Sequence, residues 1–444
     1  MKAAKYPAYK LGLSKNIQLL PEHWAELPLK RLFRLEKREP LESDEIVTAF
    51  RDGTVTLRKN RREDGFTNAL KEIGYQRINR DDLVIHAMDA FAGAIGVSDS
   101  DGKSTPVYSA CTATKDANPH FYAYYLRDLA LHGFIESLAK GIRERSTDFR
   151  WSDASMVAVP VPPRSEQLAI ANFLDRETAK IDVLIAEQQR LIELLQEKRQ
   201  AVISHAVTKG LNPNTPMKDS GVEWLGEVPA HWEVSQMRRY IQKDRKITYG
   251  IVQPGEPEPT GRFMVRGQDY STGWSEPDSI FRVSPAIEEP YTRSRVKPGD
   301  LVMTIVGAGV GNTAKVPEWL DGANLTQTTC RIAVDAQAMN PDYMKLVLDS
   351  SIGRYSVGFY AKGAAQPGLN LEHVKVFPVT RPSLEEQSTI TEYLKEYLSS
   401  IDGLVKESQK ASTLLHERRS ALISAAVTGQ IDVRGLVKAE GSEQ

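Results

Sequence analysis

The chain has 444 residues, 57 basic and 58 acidic, with 41% hydrophobic residues and two cysteines. That length exceeds one ordinary domain, and the absence of an apolar run of about eighteen residues excludes a membrane-spanning helix. A near-zero net charge neither requires nor forbids nucleic acid, and Cys111 and Cys330 are too few for a disulfide framework, so buried thiols and a reducing cytoplasm are expected.

The N-terminal MKAAKYPAYKLGLSKN has no apolar signal core. LPEHW follows at Leu20–Trp24, and the spacing of His23 and Trp24 suggests packing anchors. The first basic cluster is Arg58, Lys59, Arg61 and Arg62, with Arg77 downstream and Phe66 and Tyr75 interleaved. Such a cluster suits phosphate and base contacts, although any one cluster is more often a solvated face. DDLVIHA at Asp81–Ala87 reads as a strand and runs into the glycine segment Gly93–Gly96. GKS at Gly102–Ser104 is no phosphate loop, because Val97 stands where the first glycine belongs.

A long helix is expected next. Pro162-Pro163 precedes Ser165, a candidate cap, and Gly210 with Pro213 stops it. Leu174, Ile181, Gln188, Leu195 and Val202 recur every seventh residue, and Leu184 and Leu191 fill the slots between, which is a heptad seam. Ile185 and Ile192, with Val405 further along the chain, are left over for partner helices.

The landmarks then return. VPAHW at Val228–Trp232 repeats LPEHW, and GDLVMTI at Gly299–Ile305 repeats the DLV strand, again with a glycine segment, Gly307–Gly311. A second basic set holds Arg262, Arg266, Arg293 and Arg295 with Gln268, and Lys362 and Gln366 follow. Asn340 suits a helix cap. The second long helix opens with the capping box Ser383–Glu386 and ends before Gly429. Leu394, Ile401, Ser408, Leu415 and Leu422 form its seam, with Tyr397, Leu404 and Ala411 between. Over Glu166–Thr208 and Glu386–Thr428, 19 of 43 positions are identical without a gap. The offset between copies rises along the chain from 208 to 218 to 220, as a tandem duplication with small insertions requires.

The expected fold is therefore α+β. Two globular regions alternate with two long helices in a pseudo-two-fold repeat, with boundaries at 1–160, 161–212, 213–380 and 381–444; the simplest arrangement pairs the helices as an antiparallel coiled coil, and the alternative packs each on its own globule. No histidine or cysteine spacing suits a metal, and no cofactor-binding or nucleophile motif is present, so binding is favoured over catalysis.

Two stretches carry a family resemblance. VPVPPRSEQLAIANFLDRETAKIDVLIAEQQRLIELLQEKRQAVISHAVTKGLNP with MKDSGVEWLGEVPAHWEV, and the terminal PSLEEQ…ERRSALISAAVTGQID, resemble the specificity subunits of type I restriction-modification systems. The resemblance covers nearly the whole chain. It implies two target recognition domains, each a mixed α/β globule reading one half of a bipartite site in double-stranded DNA, and paired helices that set the gap. It implies no catalysis and no cofactor of the chain's own. It implies as partners two modification subunits that carry S-adenosylmethionine and methylate adenine, and restriction subunits that translocate and cut. YAKGAAQPGLNLEHV before the second helix has no counterpart in GIRERSTDFRWSDAS before the first, which implies unlike half-sites. Two alternatives stand beside this reading: a stand-alone methyltransferase or restriction enzyme, and a coiled-coil scaffold that binds no DNA.

Overall fold

The computed structural model describes residues 4–61, 72–138, 148–361 and 367–436. Arg62, Lys362 and Gln366 lie outside them, as does much of GIRERSTDFRWSDAS. None of the described helices is long and apolar enough to cross a membrane. Four helices matter here: α1 (Pro119–Leu131), α2 (Arg164–Lys209), α3 (Pro341–Asp349) and α4 (Leu384–Val427). The chain divides into two compact units, Met1–Gln188 with Lys410–Gln444, and Gln189–Gln409. Each unit thus takes one part of both long helices.

In the first unit, strands β1 (Ala25–Pro28), β2 (Phe33–Leu35), β3 (Leu83–His86), β4 (Ile95–Val97), β5 (Tyr108–Ala113) and β6 (Ala158–Val161) frame the core. β2, β5, β3 and β4 make one antiparallel sheet in that order, and β1 pairs with β6. The run Leu83-Val84-Ile85 is wholly buried, as a strand covered on both faces must be. α1 packs on this sheet through Phe121, Tyr122, Tyr125 and Leu126. The same core takes Ile170 and Leu174 of α2 and Ile423, Ala426 and Val427 of α4.

The second unit repeats this plan. β7 (Glu233–Gln236) pairs with β12 (Pro378–Arg381). β8 (Thr248–Tyr249), β11 (Thr329–Ile332), β9 (Leu301–Thr304) and β10 (Thr313–Lys315) form the antiparallel sheet in that order. Its core takes Ile203 and Val207 of α2 and Ile390, Leu394 and Leu398 of α4.

The repeated His-Trp pairs anchor the helix ends. Trp24 is fully buried, and its indole N–H donates to Glu166 at 3.2 Å. The Glu166 carboxyl also accepts from the Tyr6 hydroxyl at 2.5 Å and meets His23 Nε2 at 2.8 Å. Trp232 donates to Glu386 at 3.1 Å, with His231 Nε2 at 2.8 Å from the same carboxyl. Ser383 caps α4 as expected, accepting from the Glu386 N–H at 3.2 Å. The Glu386 side chain, however, turns to the tryptophan rather than back to the cap. The next residue repeats too. Gln167 accepts from the backbone N–H of Asn118, the cap of α1, at 2.7 Å, and Gln387 does the same for Asn340, the cap of α3, at 2.7 Å.

The two helices run antiparallel inside each unit. In the first, Trp24 meets both the start of α2, through Glu166, and the end of α4, where a side chain on Gly429 would come within 3.0 Å of its ring. Further along α2, Asp182 pairs with Arg419 at 2.8 Å. In the second, Glu386 and Gly210 flank Trp232, and Asp402 pairs with Arg199 at 3.3 Å. Both glycines hold positive φ, 77° at Gly210 and 72° at Gly429, the left-handed stop that lets the chain leave the helix.

The seam differs from the expected one at three leucines of the slots between. Leu174, Ile181, Leu195, Leu394 and Ile401 are buried, and Val202, Leu415 and Leu422 are half-buried. Leu184, Leu191 and Leu404 are instead 43%, 42% and 56% exposed. Ile192 and Leu398 are buried, and Ile185 and Val405 half-buried, so these fill the slots between. The heptad holds, but the step from each main seam residue is four, then three. A leucine adjoins the buried residue at each disputed site, so apolarity alone does not choose between the two phases. Ile192→Ala is accordingly expected to cost about 2–4 kcal/mol, and Leu191→Ala about 0.5 or less, in denaturant unfolding.

Candidate nucleic-acid interface

The two sheets each open a cleft at the same corner, mainly polar in the first unit and mainly apolar in the second. In the first unit, β3 ends at His86, opposite Tyr108 at the start of β5. In the second, β9 ends at Thr304, opposite Thr329 at the start of β11. The glycine segment after each DLV strand turns the chain beside the cleft. A side chain on Gly93 would meet the Arg51 carbonyl at 2.8 Å, so the turn closes only without one.

The first cleft, about 700 Å³, is lined by Thr48, Arg51, Arg58, Arg61, His86, Asp89, Thr105 and Tyr108. Arg61 sits over the Phe50 ring at 4.4 Å and pairs with Asp52 at 2.6 Å. Burial pushes the Asp52 carboxyl up, but hydrogen bonds from Arg61 and Thr54 prevail and hold it at about 2. Arg51 reaches Asp89 at 2.8 Å. The Asp89 backbone N–H donates to His86 Nδ1 at 3.0 Å, which requires that nitrogen to carry a lone pair. Burial also lowers the His86 pKa, against the pull of Asp89. His86 Nδ1 also lies 3.3 Å from an Asp89 carboxylate oxygen, and the imidazole centroid is 4.5 Å from that of the Tyr108 ring. Burial pushes the Tyr108 phenol up to about 12. Arg58 lies 3.4 Å from the Thr48 hydroxyl. Lys59 pairs with Glu45. Arg77 belongs to the separate strand Gln76–Ile78 and meets Asn79 at 3.2 Å.

The second cleft, about 600 Å³, is lined by Arg266, Gln268, Ser271, Thr304, Asn312, Thr326, Gln327 and Thr328, with Met264, Phe281 and Val306 as its apolar part. Arg266 turns Nε and Nη2 to Asp269, at 3.3 and 3.0 Å. Arg262 and Arg295 are elsewhere, converging on the buried Glu288 with Arg295 at 2.6 Å and Arg262 at 3.3 Å. The Arg293 side chain is exposed, and its carbonyl accepts from Arg331 at 2.7 Å. Both cysteines are buried inside the sheets, and burial pushes the Cys330 thiol up to about 12.

Glu288 supplies an acid-sensitive support for the second unit. Hydrogen bonding from Arg295, against desolvation, holds its carboxyl below the ordinary 4.5. Its stabilisation is therefore complete above about pH 4.5 and is lost as pH falls through the folded value. Glu288→Gln is expected to cost about 1–3 kcal/mol at pH 7 and to flatten the acid limb of unfolding, measured in urea between pH 3 and 7.

Sequence reasoning found Arg58, Arg61, Arg266 and Gln268 of these linings and missed Arg51, His86, Asp89, Tyr108, Asn312 and Gln327. The glycine segments were the available signal, since each lies next to its cleft.

The chain is 27% identical over 277 residues to the Type I restriction enzyme EcoBI specificity subunit of Escherichia coli, covering 62% of this chain and 58% of that relative. It thus spans less than two thirds of that relative's length. It is 21% identical to the EcoKI specificity subunit of Escherichia coli strain K12, covering 93% of this chain and 90% of the relative. The chain is thus similar in sequence to type I specificity subunits. No family model matches it. Its fold is that of a chain in a solved type I restriction-modification system, with a TM-score of 0.70 at 14% identity over 93% of this chain and 99% of that one.

Proposed function

We propose that the chain is a type I specificity subunit that reads a bipartite, asymmetric site in double-stranded DNA, one half-site per unit, and has no catalytic activity or cofactor of its own. The observation that carries the proposal is the pair of clefts at equivalent sheet corners with unlike linings. A duplicated frame with divergent walls is what two readers of different sequences need. The paired helices set the gap between half-sites. Leu184 and Leu404 stand at matching positions of the repeat and are exposed, and such leucines suit the docking of two modification subunits. Those partners supply S-adenosylmethionine and adenine methylation, and restriction subunits complete a cytoplasmic complex.

The test is duplex binding by the full chain across salt concentrations, with methylated adenines mapped in cells with and without the gene. Binding that falls steeply with salt, and gene-dependent methylation at one bipartite motif, are expected. Methylation by the isolated chain would revive the stand-alone enzyme. Binding to no duplex at any salt would leave only the scaffold.

A further inference from the structure

The lining of the second cleft differs from that of the first in chemical kind. Gln268, Asn312 and Gln327 stand exposed around it. Among the described residues no hydrogen bond engages their carboxamides. Each carboxamide offers a donor beside an acceptor, the pattern that matches the N6 and N7 edge of adenine. Arg266 is the one cation among the described lining residues. A free guanidinium fork would favour guanine. This fork is already turned to Asp269, which is buried with 2% of its surface exposed. The same lining includes Phe281 and Val306, partly exposed apolar groups of the sort that take a thymine methyl, beside the buried Met264. The first cleft has no carboxamide among its lining residues and carries Arg51, Arg58, Arg61 and His86 instead.

We propose that the second unit reads an A·T base pair in the major groove, its carboxamides on the adenine edge and its apolar surface on the thymine methyl. This rests on the duplex-reading role above and adds the base identity. The pair meant is one that stays stacked, distinct from any adenine that is methylated.

The experiment selects sites from random duplexes with the full-length chain, co-expressed with modification subunits if it needs them to stay in solution. Q268A, N312A and Q327A are selected in parallel. One half-site should specify an A·T pair, and at least one variant should relax that position roughly tenfold while the other half-site keeps its preference. 7-Deazaadenine at that position, which lacks the N7 acceptor, should weaken the unaltered chain by a similar factor and leave that variant unaffected. The salt slope should not change, since no charge is removed. Unchanged preference in all three variants, or relaxation at a G·C pair, would overturn the proposal and leave DNA reading intact. No sequence preference in any chain would overturn both.

Discussion

Seven residues inserted into both long helices will lengthen the preferred gap between half-sites, and the original gap will lose at least tenfold in binding. An α-helix rises 1.5 Å per residue, so a heptad adds about 10 Å of rod. Duplex DNA advances 3.4 Å per pair, so the gap grows by about three base pairs at most. Each added pair also turns the duplex by about 35°, which opposes the full step. Insertions after Arg190 in α2 and after Lys410 in α4 keep each seam in phase, because seven residues return the same face. Insertion into α2 alone is a different experiment. Asp182 with Arg419 and Arg199 with Asp402 then cannot both keep their partners, and unfolding at lower temperature is expected. The measurement is binding to a ladder of duplexes that differ only in gap length. An unchanged optimum in the doubly inserted chain would end the idea that the helices act as a ruler.

The repeat was the most legible feature of the sequence, and the structure explains why. Glu166 and Gln167 return as Glu386 and Gln387 because each pair ties a helix start to a tryptophan and to the cap of a second helix. Those bonds have one geometry, so the residues cannot drift between copies. The seam was half legible for the opposite reason. Leu184 beside Ile185, Leu191 beside Ile192 and Leu404 beside Val405 present two apolar phases of one heptad, and contact alone selects the β-branched residue. Cleft residues were the least legible. Arg262 and Arg295 carry the charge expected of a DNA contact, yet they converge on Glu288, because a buried carboxyl needs compensation wherever it lies. Tyr108 opens β5 opposite His86, and Gln327 lies in the turn before β11, so each reaches its cleft through long-range chain pairing that no local pattern announces.

The same anchors give the largest stability effects expected in the chain. Trp24→Ala and Trp232→Ala each remove a fully buried indole, and each should cost about 3–5 kcal/mol. The two sites should separate under a milder change. Phenylalanine keeps most of the shape and removes the indole N–H, which leaves the glutamate short of one donor. At Trp24 that glutamate is Glu166, whose side chain is 3% exposed, so water cannot replace the lost bond. At Trp232 it is Glu386, whose side chain is 30% exposed and remains open to solvent. An unpaired buried acceptor costs about 1–3 kcal/mol, whereas a solvated one costs a fraction of that. Trp24→Phe should therefore destabilise its unit by clearly more than Trp232→Phe, read by calorimetry as the shift of each unit's transition. Tyr6 and His23 still meet Glu166 in the variant, which sets the loss at the lower end of that range. Equal shifts for the two phenylalanine variants would show that shape, and not the buried acceptor, sets the value of these tryptophans.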